Sequence, residues 1–147
     1  MTNEEFNRIW SSRRFFLVTA TSKDSKVFRG RGTVKTSGRE GGTVVFEEEG
    51  EWISLDKSIC KFRNVYLWSF RECLRFRLAH LRYGPVRPVH LVDFAAISRD
   101  TWRCVSPYLC GDDSYAAQMN YSNNKLTLSW RISGPTKRML VDYSYYK

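Results

Sequence analysis

Much of what would direct a reader to a known chemistry is missing from this sequence. Its 147 residues hold two histidines, four prolines and four cysteines, and bases outnumber acids 24 to 15. No G-x-S-x-G, H-E-x-x-H, phosphate-binding loop or dinucleotide fingerprint occurs, so serine hydrolase, zinc protease and nucleotide-hydrolase chemistry find no support. Cys60, Cys73, Cys104 and Cys110 form no C-x-x-C pair. With His80 and His90 they match no zinc-finger or ribbon spacing, so neither a metal nor a cofactor is expected. Four free thiols are the expectation, as in a reducing compartment. No apolar run approaches the roughly 18 residues of a membrane span, and the polar start Thr2-Asn3-Glu4-Glu5 is unlike a signal peptide. The chain is therefore expected to be soluble, intracellular and cytoplasmic, and its length suits one domain over residues 1–147.

What is present is aromatic and alternating. Aromatic residues make up 15% of the chain, and aromatic with β-branched residues favour pleated surfaces. Thr2 and Glu5 make a T-x-x-E capping box ahead of Phe6, Ile9 and Trp10 on one face, which predicts a short helix over residues 2–10. From Arg13 onward only strands are predicted: the apolar run Phe15–Val18, then Val27–Thr36, Thr43–Glu49, Glu51–Leu55 after a break at Gly50, and Ile59–Phe70. Cys73–Leu81, Val89–Ile97, Asp100–Val105, a hairpin and Lys137–Tyr146 follow. The hairpin is the clearest part. Tyr115, Ala117, Met119 and Tyr121 alternate with smaller or polar residues, Asn123-Asn124 turns the chain, and Leu126, Leu128, Trp130 and Ile132 share a face expected to be buried. Gly30 and Gly32 fall on one face of their strand, where a barrel bends or backbones approach closely. Short strands at such spacing make a sandwich or a barrel. Successive hairpins and a helix able to close one end favour a closed antiparallel up-and-down β-barrel of eight to ten strands.

Charge is uneven. The net charge is +9, residues 40–56 hold six acids and no base, and residues 59–88 hold seven bases against Glu72 alone. A basic sector attracts phosphates, anionic lipids or anionic small molecules, or simply solvates a sheet face. Alternation groups His90 with Val92, Phe94 and Ala96, which predicts an inward imidazole, fit for binding or proton transfer or for a satisfied place in the core. Asp112-Asp113 before Tyr115 is a carboxylate pair at a barrel mouth or a pair of turn caps. Arg75 and Arg77, and Arg131 with Lys137, lie opposite the apolar residues, and inward arginines would require an anionic partner.

Further residues carry a resemblance. Arg14, Phe28-x-Gly30-x-Gly32, Val45-Phe46-Glu47-Glu48-Glu49-Gly50 and Tyr66-x-Trp68 are followed by Gly84-x-x-Arg87-Pro88-x-His90. Leu109-Cys110-Gly111-Asp112-Asp113-x-Tyr115 and Trp130-x-x-x-Gly134-Pro135-x-Lys137 complete the series. Together they resemble a lipocalin-like (calycin) domain family of unknown function. The resemblance implies a barrel of eight to ten strands with a polar cavity, and no assigned activity. Tyr108 stands where that family tends to place His, and the Tyr83–Arg87 turn is longer than its Asp-Gly-Arg turn. Any chemistry resting on that His is absent here. Three readings follow. The favoured one is a protein binding a small anionic or amphipathic ligand in the barrel, with His90, Tyr115, Trp130, Arg77, Lys137 and Asp113 as candidate ligand-binding residues. The second is a nucleic-acid or protein interaction module using Arg63, Arg75, Arg77, Tyr66 and Trp68 on an outer surface. The third is a barrel enzyme with an isomerase- or lyase-like site around His90 and Asp113.

Overall fold

A computed structural model describes residues 1–39, 41–54, 56–72 and 75–147. Helix α1 (Asn3–Ser11) precedes β1 (Phe15–Ser22), β2 (Val27–Arg39), β3 (Thr43–Ile53), β4 (Ile59–Arg71) and β5 (Arg75–His80). Then come β6 (Val89–Ala96), β7 (Thr101–Cys104), β8 (Tyr108–Cys110), β9 (Asp113–Ser122), β10 (Lys125–Ser133) and β11 (Arg138–Tyr146). Each strand pairs antiparallel with the next, except that β7 and β8 both lie along β9, and β11 pairs back onto β1. The result is the expected closed up-and-down barrel, ten strands around, with β8 prolonging the line of β7.

Local chemistry explains the clearest elements. The Glu5 amide donates to Thr2 Oγ1 (3.1 Å) and the Thr2 amide to Glu5 Oε2 (2.8 Å), the reciprocal cap the sequence predicts. Asn123 and Asn124 take φ of 53° and 61°, the left-handed pair that matches a two-residue hairpin to strand twist. Two expectations change. β3 runs unbroken through Gly50, so Glu51 onward is no separate strand. Gly50 faces Gly32 across the ladder, and a Cβ added there would fall 2.9 Å from the Phe16 ring. The pair lets that ring lie on bare backbone. β8 lies between Val105 and the hairpin, where the sequence predicts no strand. The expectations for Glu40, Leu55, Cys73 and Leu74 lie outside the described residues.

The barrel interior has two unlike halves. At one end α1 lies across the opening with Phe6, Ile9 and Trp10 buried. Trp10 stacks on Phe6 (4.3 Å between centroids) and meets the edges of Phe76 (5.0 Å), Trp68 (6.0 Å) and Trp102 (6.3 Å). Arg13, fully enclosed at the helix–barrel junction, donates from Nε to the Ile9 carbonyl (2.9 Å). Its Nη1 reaches the carbonyls of Asn124 (2.6 Å) and Tyr145 (3.2 Å). That end is solid. The other half is hollow. Leu126, Leu128 and Ile132 are buried as expected, but Trp130 is only half-buried, because its site borders the hollow. Cys60, Cys104 and Cys110 are free thiols. Among the described residues, no helix is long and apolar enough to cross a membrane.

The wall also has a seam. β6 pairs with β7 only through Phe94, Ala95 and Ala96, and the Val105 amide donates to the Asp93 carbonyl (2.7 Å). Beyond that point β8 follows β9 alone, and the half of β6 from Val89 to Val92 has no ladder partner on that side.

Candidate functional site

The hollow half is a cavity of about 750 Å³, within the roughly 300–1,000 Å³ typical of small-molecule sites. Inward positions of β3, β4, β9, β10 and β11 bring Trp52, Tyr66, Tyr115, Trp130 and Tyr143 to its wall, and Tyr108 comes from β8. Tyr115 meets the edge of Trp130 (6.4 Å) and tilts against Tyr108 (6.0 Å), and Lys137 Nζ lies 5.9 Å from the Tyr115 ring centre, a cation–π distance. Arg63, Arg82 and Lys137, all solvent-exposed, also border the cavity, and none of its lining residues is a carboxylate. His80 completes the basic arc. Burial, then the neighbouring Arg82 charge, push its pKa below the ordinary value, so its imidazole is neutral at pH 7. Such a mouth favours an anion over a cation.

Where the solid and hollow halves meet stands Glu48. Its strand alternates Val44, Phe46 and Glu48 inward, so the period that buries two apolar side chains carries a carboxyl with them. Glu48 is 0% exposed. Tyr145 Oη donates to its Oε2 at 2.5 Å, while Oε1 is buried with no hydrogen-bond partner. Burial raises its pKa to about 7, against smaller lowering effects from the Tyr145 hydroxyl and from Asn64, its partner across the β3–β4 ladder. The Asn64 amide lies near enough to favour the charged form but closes no hydrogen bond on Oε1. Burial also raises Tyr66, Tyr143 and Tyr145, and the Glu48 charge adds to each, so all three remain neutral hydroxyls near neutral pH. Tyr143 rises well above the ordinary tyrosine value, burial being the larger cause.

Of the residues singled out in the sequence, Tyr115, Trp130 and Lys137 come together on the wall. Asp113 opens β9, paired with Cys110 and packed against Gly134, where a Cβ would collide with its Oδ1; it does not line the cavity. His90 and Arg77 lie elsewhere. Arg77 forms a fork with Asp93, Nε to Oδ1 at 2.8 Å and Nη2 to Oδ2 at 3.2 Å, and His90 Nε2 joins Asp93 Oδ1 at 3.2 Å on an exposed face. The Arg77 hydrogen bond leads the causes that hold the Asp93 carboxyl below the usual carboxylate range. The inward placement expected for His90 fails because of a β-bulge. The β5–β6 register passes from Leu78↔Val92 to Ala79↔His90, skipping Leu91, and it is Leu91 that reaches the cavity wall. His90 and Asp113 are thus not brought together. The proposed outer stacking surface changes too, since Tyr66 lines the cavity and Trp68 is 1% exposed in the core. Sequence reasoning missed Glu48, Asn64 and Arg82. Two had a visible signal: Glu48 as a carboxyl in phase with Val44 and Phe46, and Arg82 as one base of the sector over residues 59–88.

Comparison with known structures agrees with the barrel. The chain is similar to an S-type phycobiliprotein lyase from Guillardia theta (TM-score 0.69, 9% identity, covering 100% of this chain and 93% of that one). It is also similar to a redesigned β-barrel bound to DFHBI (TM-score 0.47, 12% identity, 95% and 97% covered) and to a de novo designed fluorescence-activating β-barrel (0.47, 10%, 96% and 98%). At 9% identity the likeness to the lyase is one of fold. No curated protein matches the sequence. A family model covers residues 6–147, nearly the whole barrel with its plugging helix, and the chain belongs to that family, a family of unknown function (DUF6314).

Proposed function

We propose that this protein is a lipocalin-like barrel of one domain that binds a small anionic, aromatic or amphipathic ligand in its hollow half. The observation that carries this reading is the cavity itself: about 750 Å³, walled by six aromatic rings, bordered by Arg63, Arg82 and Lys137, and without a carboxylate among its lining residues. Rings supply contact area at low entropic cost, and the cations select the sign of charge. The outer-surface reading has lost its stacking partners, because Tyr66 and Trp68 turn inward, and Arg77 is already engaged by Asp93.

Anilinonaphthalene sulfonate, an anionic aromatic dye, tests the reading by fluorescence titration. The native protein should bind it in one saturable site with little dependence on salt. Trp130→Ala should weaken binding more than tenfold. Lys137→Ala should weaken it about two- to fivefold, as for an exposed charge pair worth up to ~1 kcal/mol. No saturable binding of the dye, together with single-stranded RNA bound in a steeply salt-dependent way, would sink the pocket reading in favour of the surface one.

A further inference from the structure

The carboxyl of Glu48 is left half-used. One oxygen takes the Tyr145 hydroxyl; the other, equally buried, closes no hydrogen bond among the described residues, although the Asn64 amide lies nearby. Buried polar atoms are nearly always paired, and an orphaned acceptor costs free energy that an apolar side chain in its place would avoid. The orphan lies next to the cavity. Asn64 stands directly across the ladder, and Tyr66 and Tyr143 lie close enough to feel the Glu48 charge; all three belong to the cavity wall. The carboxyl is therefore one side chain behind the cavity floor.

We infer that Glu48 Oε1 is a second recognition point in the cavity, accepting a hydrogen bond from an N–H group at the end of the ligand opposite its anionic group. The inference rests on the pocket reading and sharpens it. The ligand class becomes an aromatic acid with a ring N–H at its far end, its acid held at the mouth by Lys137 and Arg82. A small displacement of Asn64 opens Oε1 to such a donor. Ether and carbonyl groups at that end of a ligand would meet the carboxylate lone pairs and be rejected.

The donor binds the carboxylate, so affinity follows Glu48 ionisation. The charged or titratable groups around Glu48 are Tyr145 and Tyr143 on β11, Tyr66 on β4 and, beyond Tyr66, Arg82. None of these changes charge between pH 6 and pH 8, because the tyrosines are raised and arginine stays protonated. His80, on the cavity wall, remains in every variant compared and contributes equally to each.

The probes are a carbazole bearing its butanoate chain on a ring carbon, which keeps the ring N–H, and the N-methyl analogue of the same compound, which lacks it. Both are titrated at pH 6 and pH 8 into the native protein, Glu48→Gln and Tyr145→Phe. The N–H probe should bind the native protein at least tenfold more tightly than the N-methyl probe at pH 8. Its affinity should fall about tenfold at pH 6, the change in ionised fraction of a group titrating near 7. Glu48→Gln should lose most of the preference and the pH dependence that Glu48 contributes, whereas Tyr145→Phe, which keeps the carboxyl but removes the hydroxyl that lowers its pKa, should keep the preference with its pH dependence moved to higher pH. Equal binding of the two probes to the native protein, weakened by Lys137→Ala, overturns the Glu48 inference and leaves the pocket standing. A preference that persists unchanged in Glu48→Gln is steric and overturns it as well. Failure of both probes to bind overturns the pocket reading together with this one.

Discussion

Replacing Glu48 by glutamine is expected to stabilise the protein at pH 8, an unusual direction for a substitution at a fully buried site. The Glu48 pKa stands at about 7 in the folded chain, against an ordinary value of 4.5, chiefly because burial disfavours the charge. At ~1.4 kcal/mol per unit the native state therefore carries a penalty of about 3 kcal/mol once the group is ionised in both states. Below pH 4.5 the proton is bound in folded and unfolded chains alike and the penalty is absent. As pH rises toward 7 the unfolded carboxylate ionises freely while the folded one resists, so stability falls, and above 7 the loss is complete. Glutamine keeps the shape and can accept the Tyr145 hydroxyl, and it does not ionise. The gap between Glu48→Gln and the native protein should thus open from under about 1 kcal/mol at pH 5 to about 3 kcal/mol at pH 8. His80, whose pKa is lowered, acts in the opposite sense, destabilising the fold as pH drops below 6.5, and it cancels in the comparison. Urea unfolding followed by tryptophan fluorescence at the two pH values measures the gap, with an unchanged m-value as the check on two-state behaviour. Parallel pH profiles for the two proteins, or a Glu48→Gln less stable than native at pH 8, would refute the reasoning.

Two other substitutions probe the scaffold. Gly32→Ala should lower stability by about 1–3 kcal/mol, because the new Cβ would run into the Glu49 carbonyl and come within 2.7 Å of Gly50 Cα, both main-chain atoms of the facing strand; an unchanged thermal midpoint would contradict the close approach. Arg13→Ala removes the guanidinium donors from the carbonyls of Asn124 and Tyr145 and leaves Ile9 O to the Ser12 hydroxyl alone, and it should cost on the order of 3 kcal/mol. Arg13→Lys should recover less than half of that in the same urea assay, since one ammonium cannot reproduce the planar fork.

Much of the architecture was legible because it repeats one physical rule. Period-two alternation in Leu126–Ile132 and in Ile59–Phe70 marks strands with one face inward, and Asn123-Asn124 and the Thr2–Glu5 box mark where the chain turns and caps. The site was less legible, for reasons that alternation itself explains. The skipped register at Leu91 reverses parity along β6 and turns His90 outward, and a bulge of one residue leaves no mark in composition. Gly50 reads as a strand break, yet it pairs with Gly32 to make room for Phe16, a contact between residues far apart in sequence. Glu48 disappears into the run Glu47-Glu48-Glu49, where two neighbours face outward and their charges disguise the one that does not. Arg82 and Tyr108 reach the cavity only because the barrel closes around them.

That closure has a consequence for how the protein is made. β1 is completed by β11, with Phe16 opposite Tyr145, so the first strand of the barrel to be made waits for the barrel's last before either has both neighbours. Until β11 leaves the ribosome, the nascent sheet has two raw edges and an uncovered inner face carrying Phe16, Phe46, Trp68 and Phe94. The hydroxyl that engages Glu48 is on that late strand as well. The nascent barrel therefore emerges as an open, sticky sheet bearing an unengaged inner carboxyl, the kind of intermediate that chaperones hold, and barrel and cavity come into being in a single event.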